Sequence, residues 1–411
     1  MAKNLKENSS KKAALDYHEF PQPGKLEIRA TKPLANQRDL SRAYSPGVAE
    51  ACLEIKEDEN TASKYTSKGN LVAVISNGTA VLGLGNIGPG ASKPVMEGKA
   101  VLFKKFANID CFDIEVDEDN PQRLAEIVSS LEPTFGAINL EDIKAPDCFE
   151  VERLCKEKMK IPVFHDDQHG TAIVVGAAAV NAIELSNRKI ENTKIVAVGA
   201  GASGIACLEM LVKLGAKREN IWLSDSKGLI TKNRSEINEE KKRFSQDSNL
   251  SKLDDVIKDC DMFLGLSGPG VLTSKMVLKM NKQPIIFALA NPDPEINPAD
   301  ALKVAPDALI ATGRSDYPNQ VNNVLCFPFI FRGALDVGAT QINDEMKLAC
   351  IHAIANLARQ TSTAETVEAY QGEILKFGKE YLIPKPFDPR LLPNVAVAVA
   401  EAAMKLSLIH I

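Results

Sequence analysis

Short apolar runs alternate with helical segments along most of the 411 residues, and this alternation predicts an α/β fold. Two further observations divide the chain. Over residues 194–225 a strand, the glycine turn GAGASG, a helix and a second strand follow in order, the pattern of a doubly wound, Rossmann-type NAD(P)-binding sheet. Ahead of it, two apolar runs end on paired carboxylates. The prediction is an N-terminal α/β catalytic and substrate domain over 1–160, then the Rossmann-type domain with C-terminal helices over 161–405. A chain of this length is ample for two cores.

Taken in order, residues 1–15 are polar and expected to fray. Residues 25–30 (KLEIRA) alternate as a short strand. Ser45-Pro46 opens a helix predicted from Pro46 to about position 55. Tyr44 lies beside that helix start, where positive potential favours an anion; the competing role is a packing tyrosine. Residues 70–75 (NLVAVI) are a β-branched strand, Asn77-Gly78 a hairpin signal, and 80–84 (AVLGL) the return strand. Residues 83–88 (GLGNIG) have the form G-x-G-x-x-G, but the next helix is placed only near Val95, so they are read as a tight turn. On that helix Lys99 sits among apolar neighbours. A lysine stripped of water titrates lower and serves as a base near neutral pH, whereas a snorkelling lysine only keeps its head in solvent.

Strands over 111–116 and 137–143 flank a helix over 121–131, and the second runs into Glu141-Asp142. A helix from Pro146 to about position 158 leads to the apolar run 161–164, which ends on Asp166-Asp167 ahead of a helix from about Thr171. Adjacent carboxylates at such a turn suit a hard cation, Mg²⁺ or Mn²⁺; alternatively one aspartate caps the helix. The same design occurs twice with one helix between. Side-by-side strand ends would gather three or four carboxylates, which repel unless a cation joins them.

In the second half, 194–198 (KIVAV) is a buried parallel-type strand. Gly199, Ala200, Gly201, Ala202, Ser203 and Gly204 make the turn into a helix ending near Leu214. The next strand ends on Asp225, near the ~20-residue spacing of the ribose-binding acid. Ser226 and Lys227 follow it. An acid alone suits the ribose hydroxyls of NAD; an adjacent serine and lysine suit a 2′-phosphate, so NADP is favoured with NAD left open. The charged stretch 233–249 reads as a solvated excursion. Strands over 260–266, 284–289 and 308–312 continue the sheet, and the loops after the last two carry Asn291, Arg314, Asn322 and Asn323. Open α/β sheets bind ligands at such strand ends, though turn-forming asparagine is the competing reading. From Glu345 on, helices are expected to pack back across the first half.

Net charge is −5 with both signs mixed and no basic stripe, which argues against a nucleic-acid partner. No run approaches the ~18 apolar residues of a membrane span. The start, MAKNLKENSSKK, is not a secretory signal. Eight scattered cysteines with no C-x-x-C pair point to free thiols in a reducing cytoplasm. Residues 406–411 (LSLIHI) match the translation of a sequencing-adapter end and are expected to be a scar on a longer natural chain.

Over about residues 17–400 the chain resembles the malic enzyme family. It is most similar to the short bacterial form, including the malic part of hybrid enzymes with a C-terminal phosphotransacetylase-like domain. The motifs, in the family's order, are SRAYSPGVAE, NGTAVLGLGNIG, MEGKAVLFKKFA, NLEDI, FHDDQHGTA, GAGASG, ANPDPEI and QVNN. The resemblance implies oxidative decarboxylation of malate with NADP or NAD and Mg²⁺ or Mn²⁺, and a homo-oligomer paired through N-terminal regions. It also implies roles: Tyr44 as general acid, and Lys99 as general base, neutral in a dry cleft. Glu141, Asp142 and Asp167 would be the metal ligands, with Asp166 the neighbouring acid. Asn291 and Asn323 would contact substrate, as would Asn322 beside them, and 199–204 would be the cofactor loop. In one place the chain departs. Longer animal-type members carry, just before LGLG, an arginine that pairs with a malate carboxylate; Ala80 stands there, and Arg314 or the backbone of 76–79 is expected to substitute.

Three rival readings fit the sequence less well. A metal-independent amino-acid-type dehydrogenase does not need the doubled carboxylates. A zinc hydrolase would use His165 and His169, but a strand runs into His165, so no helix aligns the pair. A non-catalytic dinucleotide-binding protein has no use for Tyr44, Lys99 and the carboxylates.

Overall fold

The computed structural model describes residues 2–81 and 83–408. The chain opens with helices α1 (Ala2–Glu19), α2 (Gln37–Ala43), α3 (Val48–Glu57) and α4 (Ala62–Tyr65). Strand β1 (Leu71–Ser76), helix α5 (Pro89–Ala107), β2 (Asp110–Glu115), α6 (Pro121–Ser130), β3 (Ala137–Leu140), α7 (Asp147–Lys158) and β4 (Val163–His165) follow. These four strands form one parallel sheet in the order β2-β1-β3-β4. The sheet therefore reaches past position 160, with β4 as its fourth strand.

Helix α8 (Asp166–Leu185) links the halves. It is apolar nearly all round, with Ile173, Val174, Val175 and Ala177 to Ala179 buried, as a helix packed on every side must be. The second sheet comprises β5 (Ile195–Val198), β6 (Ile221–Asp225), β7 (Gly228–Leu229), β8 (Met262–Gly265), β9 (Ile285–Ala288) and β10 (Leu309–Thr312). Its order is β10-β9-β8-β5-β6-β7, parallel except for β7. Strands added after β5 go first to one side and then to the other, so a crevice opens at the β5/β8 switch, where doubly wound sheets hold ligands. Helices α9 (Ala202–Lys213), α10 (Glu239–Lys242), α11 (Leu253–Val256), α12 (Ser274–Val277) and α13 (Pro298–Val304) accompany it. The chain ends with α14 (Phe327–Asp336), α15 (Asp344–Arg359), α16 (Ala364–Ala369) and α17 (Leu391–Lys405).

The packing back on the first half begins earlier than Glu345, with α14, and beyond Glu345 Phe387 meets Phe106 of α5 at 5.4 Å. Phe327 and Phe331 of α14 meet Phe103 of α5 edge-on at 4.8 and 5.2 Å, and Arg332 donates to Asn70 at 2.6 Å. One continuous core thus runs through both sheets. Among the described residues no helix is long and apolar enough to cross a membrane.

Several expectations are corrected. Residues 2–19 are helical, not frayed, and 25–30 form no strand. The Asn77-Gly78 hairpin does not form, because β1 is already paired on both edges by parallel neighbours; a returning strand has no edge to join. Residues 80–84 instead turn back through one bridge, Val81 to Gly85, with Leu82 outside the described residues. Helix α5 begins at Pro89, directly after Gly88, not near Val95: proline is well suited to a first turn, and Pro94 is tolerated inside. Residues 233–249 are largely exposed, as expected, but are anchored to the sheet at a few points. Phe244 is buried, Gln246 donates to the carbonyls of Arg218 and Ile221 at the start of β6, and Arg234 bonds Asp225 at its end. Of 406–411, the last three residues lie outside the described structure.

Candidate active site

Strands β3 and β4 are neighbours, with Leu140 opposite His165. Their carboxyl ends therefore emerge side by side, and the two acidic pairs meet. Helix α8 begins at Asp166, five residues earlier than its small-residue pattern suggested, so Asp166 and Asp167 occupy its first turn, where the helix dipole favours negative charge. Oxygens of Glu141, Asp142 and Asp167 all lie within 4.8 Å of one another. Asp142 takes a left-handed backbone, φ 52°, which turns the chain so that its N–H donates to Asp167 Oδ2 at 2.7 Å. Asn139 Nδ2 donates to Glu141 Oε2 at 2.8 Å and holds that carboxylate.

The crowding has an electrostatic signature. Burial, then repulsion from Asp142, pushes the Asp167 carboxyl above its usual range. Burial raises Glu141 likewise, although Lys99 opposes it. Carboxylates held together at this cost fit a divalent cation: three hard oxygens converge, those of Glu141 and Asp142 buried and that of Asp167 half-buried, and their charges oppose one another until one is bound. These residues suit Mg²⁺ or Mn²⁺.

Lys99 projects from α5 into the same cluster. Its Nζ lies 2.6 Å from Asp166 Oδ2 and 2.9 Å from Glu141 Oε1, and 4.3 Å from the Phe327 ring centre. The lysine expected to be neutral is paired with two carboxylates. Burial alone would lower it, but Asp166 and Glu141 outweigh burial and push the ammonium up. Asp166 is held on its other side by Asn323, whose Nδ2 donates to Oδ2 at 3.0 Å, while Thr171 donates to Asn323 Oδ1 at 3.1 Å. A Cβ on Gly170 would fall 1.9 Å from Asp166 Oδ1, so only glycine fits there. His165 is buried with neither ring nitrogen hydrogen-bonded, and burial lowers it to about 4. His169 bonds Glu152 at 2.7 Å. The two histidines share no ligand geometry, so the zinc-hydrolase reading fails.

The glycine turn faces this cluster. Ser203 Oγ donates to the Asp167 carbonyl at 2.8 Å, tying the start of α9 to the carboxylate turn. Gly199, at φ 108°, has its Cβ position 2.2 Å from Leu266 O, whereas a Cβ on Gly201 would meet nothing within 4 Å; that open side is where a pyrophosphate approaches. Ala200, Ala202 and Gly204 complete the turn. At the end of β6, Asp225 is already engaged: Arg234 bonds it twice, at 2.9 and 3.1 Å, Lys241 once at 3.0 Å, and the Lys227 N–H once. Burial opposes these bonds, yet they lower its carboxyl to about 2. Ser226 and Lys227 stand exposed beside it. Arg234 and Lys241 were missed from sequence because they sit in a stretch so charged that it read as solvent-facing.

The structure does not gather every expected residue. Tyr44 follows α2, is 72 % exposed, and makes no side-chain hydrogen bond to Lys99 or the carboxylates; neither α2 nor α3 buries a residue. Arg314 is not presented as a free cation: both arms of its guanidinium bond Asp316, at 2.8 Å each, and a third bond goes to Pro292 O. Asn322 spends its side-chain oxygen capping Val324 N–H. Asn291 lies beside Gly313 and Gly83 at the strand ends, near the β1 loop.

Residues 168–370 match the family model "Malic enzyme, NAD binding domain", and 23–126 match "Malic enzyme, N-terminal domain". The solved NAD-dependent malic enzyme of Thermotoga maritima is 43% identical, superposes with a TM-score of 0.85, and shares 94% of this chain and 98% of its own. The chain belongs to the malic enzyme family. The NADP-dependent malic enzyme of Haemophilus influenzae is 61% identical over 96% of the chain and 52% of its own length. The NAD-dependent malic enzyme of Rhizobium meliloti is also 61% identical, over 95% and 51%. The chain thus spans about half the length of these two bacterial malic enzymes. Because members named for either dinucleotide are equally similar, overall likeness does not choose between them, and the residues around Asp225 must.

Proposed function

We propose that the chain oxidatively decarboxylates (S)-malate to pyruvate and CO₂ with reduction of NADP⁺, in a divalent-metal-dependent reaction. The observation that carries this reading is the convergence of Lys99 and three carboxylates on a turn that Ser203 ties to the cofactor helix. Glu141, Asp142 and Asp167 would hold Mg²⁺ or Mn²⁺, which would supply Lewis-acid polarisation of the substrate, and the glycine turn would hold NADP⁺ as the hydride acceptor. The same site suits decarboxylation of added oxaloacetate.

The chain's own groups handle protons. Lys99 starts charged, so it must shed a proton before it takes one. Asp166, at 2.6 Å, is placed to accept it, and its Oδ1 is buried without a partner. Lys99 then takes the C2 hydroxyl proton. Asn323 orients Asp166 and faces substrate. With Arg314 matched by Asp316, the β1 loop backbone around 76–79 is the better candidate for the C1 carboxylate. Asp225, neutralised by Arg234 and Lys241, is a poor acceptor for ribose hydroxyls; the surplus cations with Ser226 and Lys227 suit a 2′-phosphate, which favours NADP.

Tyr44 remains the candidate acid for C3, but this protomer does not deliver it. The arm that carries it exposes Leu15, Tyr17, Phe20, Leu40, Val48 and Leu53. A run of exposed apolar side chains of this kind is what a second copy covers. We infer a homodimer in which the arm of one protomer brings Tyr44 to the partner's cleft. The direct test of the activity is absorbance of reduced cofactor on adding malate with Mn²⁺, against EDTA, with NADP⁺ and NAD⁺ compared on one preparation. No malate-dependent reduction would refute it.

A further inference from the structure

A second cleft, of about 490 Å³, opens between the end of α7, the start of β4 and the first turn of α15. Met159, Ile161 and Val163 form an apolar floor, Lys156, Lys160 and Lys347 line it, and Asp344 stands in one wall. None of these belongs to the site described above.

The charges there do not balance. Lys347 is 5% exposed, and a buried ammonium is costly unless paired. Its nearest carboxylate is Asp344, at 3.4 Å, which Lys213 also engages; its other neighbour is His169 Nδ1, at 3.3 Å. Glu152 is taken by Lys156 at 2.6 Å and by His169 Nε2 at 2.7 Å. Lys160 makes no ion pair; Glu132 reaches only its backbone N–H. Lys156, Lys213 and Lys347 thus share the two carboxylates of Glu152 and Asp344, and Lys160 beside them makes no ion pair. Consistent with the shortfall, burial and then repulsion from Lys156 hold Lys347 down to about 8.

We propose that this cleft binds a small organic dianion, its charges on Lys347, Lys156 and Lys160 and its carbon body on the Met159–Val163 floor. Three lysines around one cleft favour a dianion over a monoanion, and the apolar floor favours an organic one. Phosphorylated and dicarboxylate metabolites share this chemistry. Lys347 in this cleft contacts His169, which stands one turn along α8 from Asp166.

The test is calorimetric titration of the full chain with inorganic phosphate, with succinate and with acetate, at fixed ionic strength and with saturating NADP⁺ to occupy the cofactor crevice. Phosphate or succinate should bind in preference to acetate, and whichever binds tighter identifies the class. The double variant Lys156→Gln, Lys160→Gln removes two exposed charges outside the catalytic cluster. It should weaken binding about 10-fold or more, a free-energy change readily resolved by titration. Lys227→Gln, in the ribose pocket, should leave it unchanged. Dianion binding that survives the double variant, that is lost with Lys227→Gln, or that is no tighter than acetate overturns the proposal.

Discussion

Delivery of Tyr44 by a second copy makes a quantitative prediction. Tyr44→Phe removes the acid and Lys99→Ala the base, and each loss of a positioned acid or base typically costs ~10²–10⁴-fold in turnover. If each site combines Lys99 of one protomer with Tyr44 of the other, a hybrid dimer of the two variants contains one intact site and one doubly defective site. Equal co-expression yields hybrids as half of the dimers, so one site in four works, and activity should return to about 25 % of wild type, set by the two-fold arithmetic of a homodimer. If Tyr44 served its own protomer, every hybrid site would lack one group and the mixture would stay at the level of the separate variants. The geometry favours the first outcome: Tyr44 is 72 % exposed on an arm whose α2 and α3 bury nothing, while Lys99 is enclosed between Asp166 and Phe327. The assay is malate-dependent NADP⁺ reduction on the unsorted co-expressed mixture; hybrids isolated through two different tags should reach about 50 %, one site in two. Recovery no greater than the sum of the single variants would refute shared sites.

Other predictions concern the two binding centres and their supports. Asp167→Asn should abolish the metal requirement and the activity together, read by Mn²⁺ titration. Burial and mutual repulsion hold the Asp167 carboxyl at about 7 and the Glu141 carboxyl at about 8 in the metal-free protein. A cation must therefore displace protons at acid pH, and Mn²⁺ affinity should rise from pH 6 to about 8 and then level, by up to ~10-fold per proton displaced per pH unit; a pH-independent dissociation constant contradicts this. Removing Arg234 by Arg234→Ala frees Asp225 to accept ribose hydroxyls, so KM for NADP⁺ should rise and that for NAD⁺ fall, with kcat little changed. Gly170→Ala drives a methyl into Asp166 Oδ1 and should cut both activity and Tm, a steric cost of ~1–3 kcal/mol.

Much of the site was legible because its signals are local. A strand followed by GAGASG and a helix is recognisable wherever it stands, and so are acids at the ends of apolar runs. The hairpin failed for the opposite reason. Asn77-Gly78 is a sound turn signal, but whether 80–84 could return beside β1 depended on β2 and β3 having taken both edges, a fact written 30 to 60 positions downstream. The charged stretch 233–249 misled in the same way, since hydropathy cannot show that Arg234 and Lys241 turn inward to one aspartate.

Residue order and type were enough for the α/β class, the dinucleotide turn, the four site carboxylates and Lys99, because periodicity and turn chemistry act over a few residues. The proton state of Lys99, the engagement of Asp225 and Arg314, and the exposure of Tyr44 belonged to the folded molecule alone. Each is an electrostatic or steric balance among groups remote in the chain, and Coulomb interactions and burial depend on ångströms in space, not on separation in sequence.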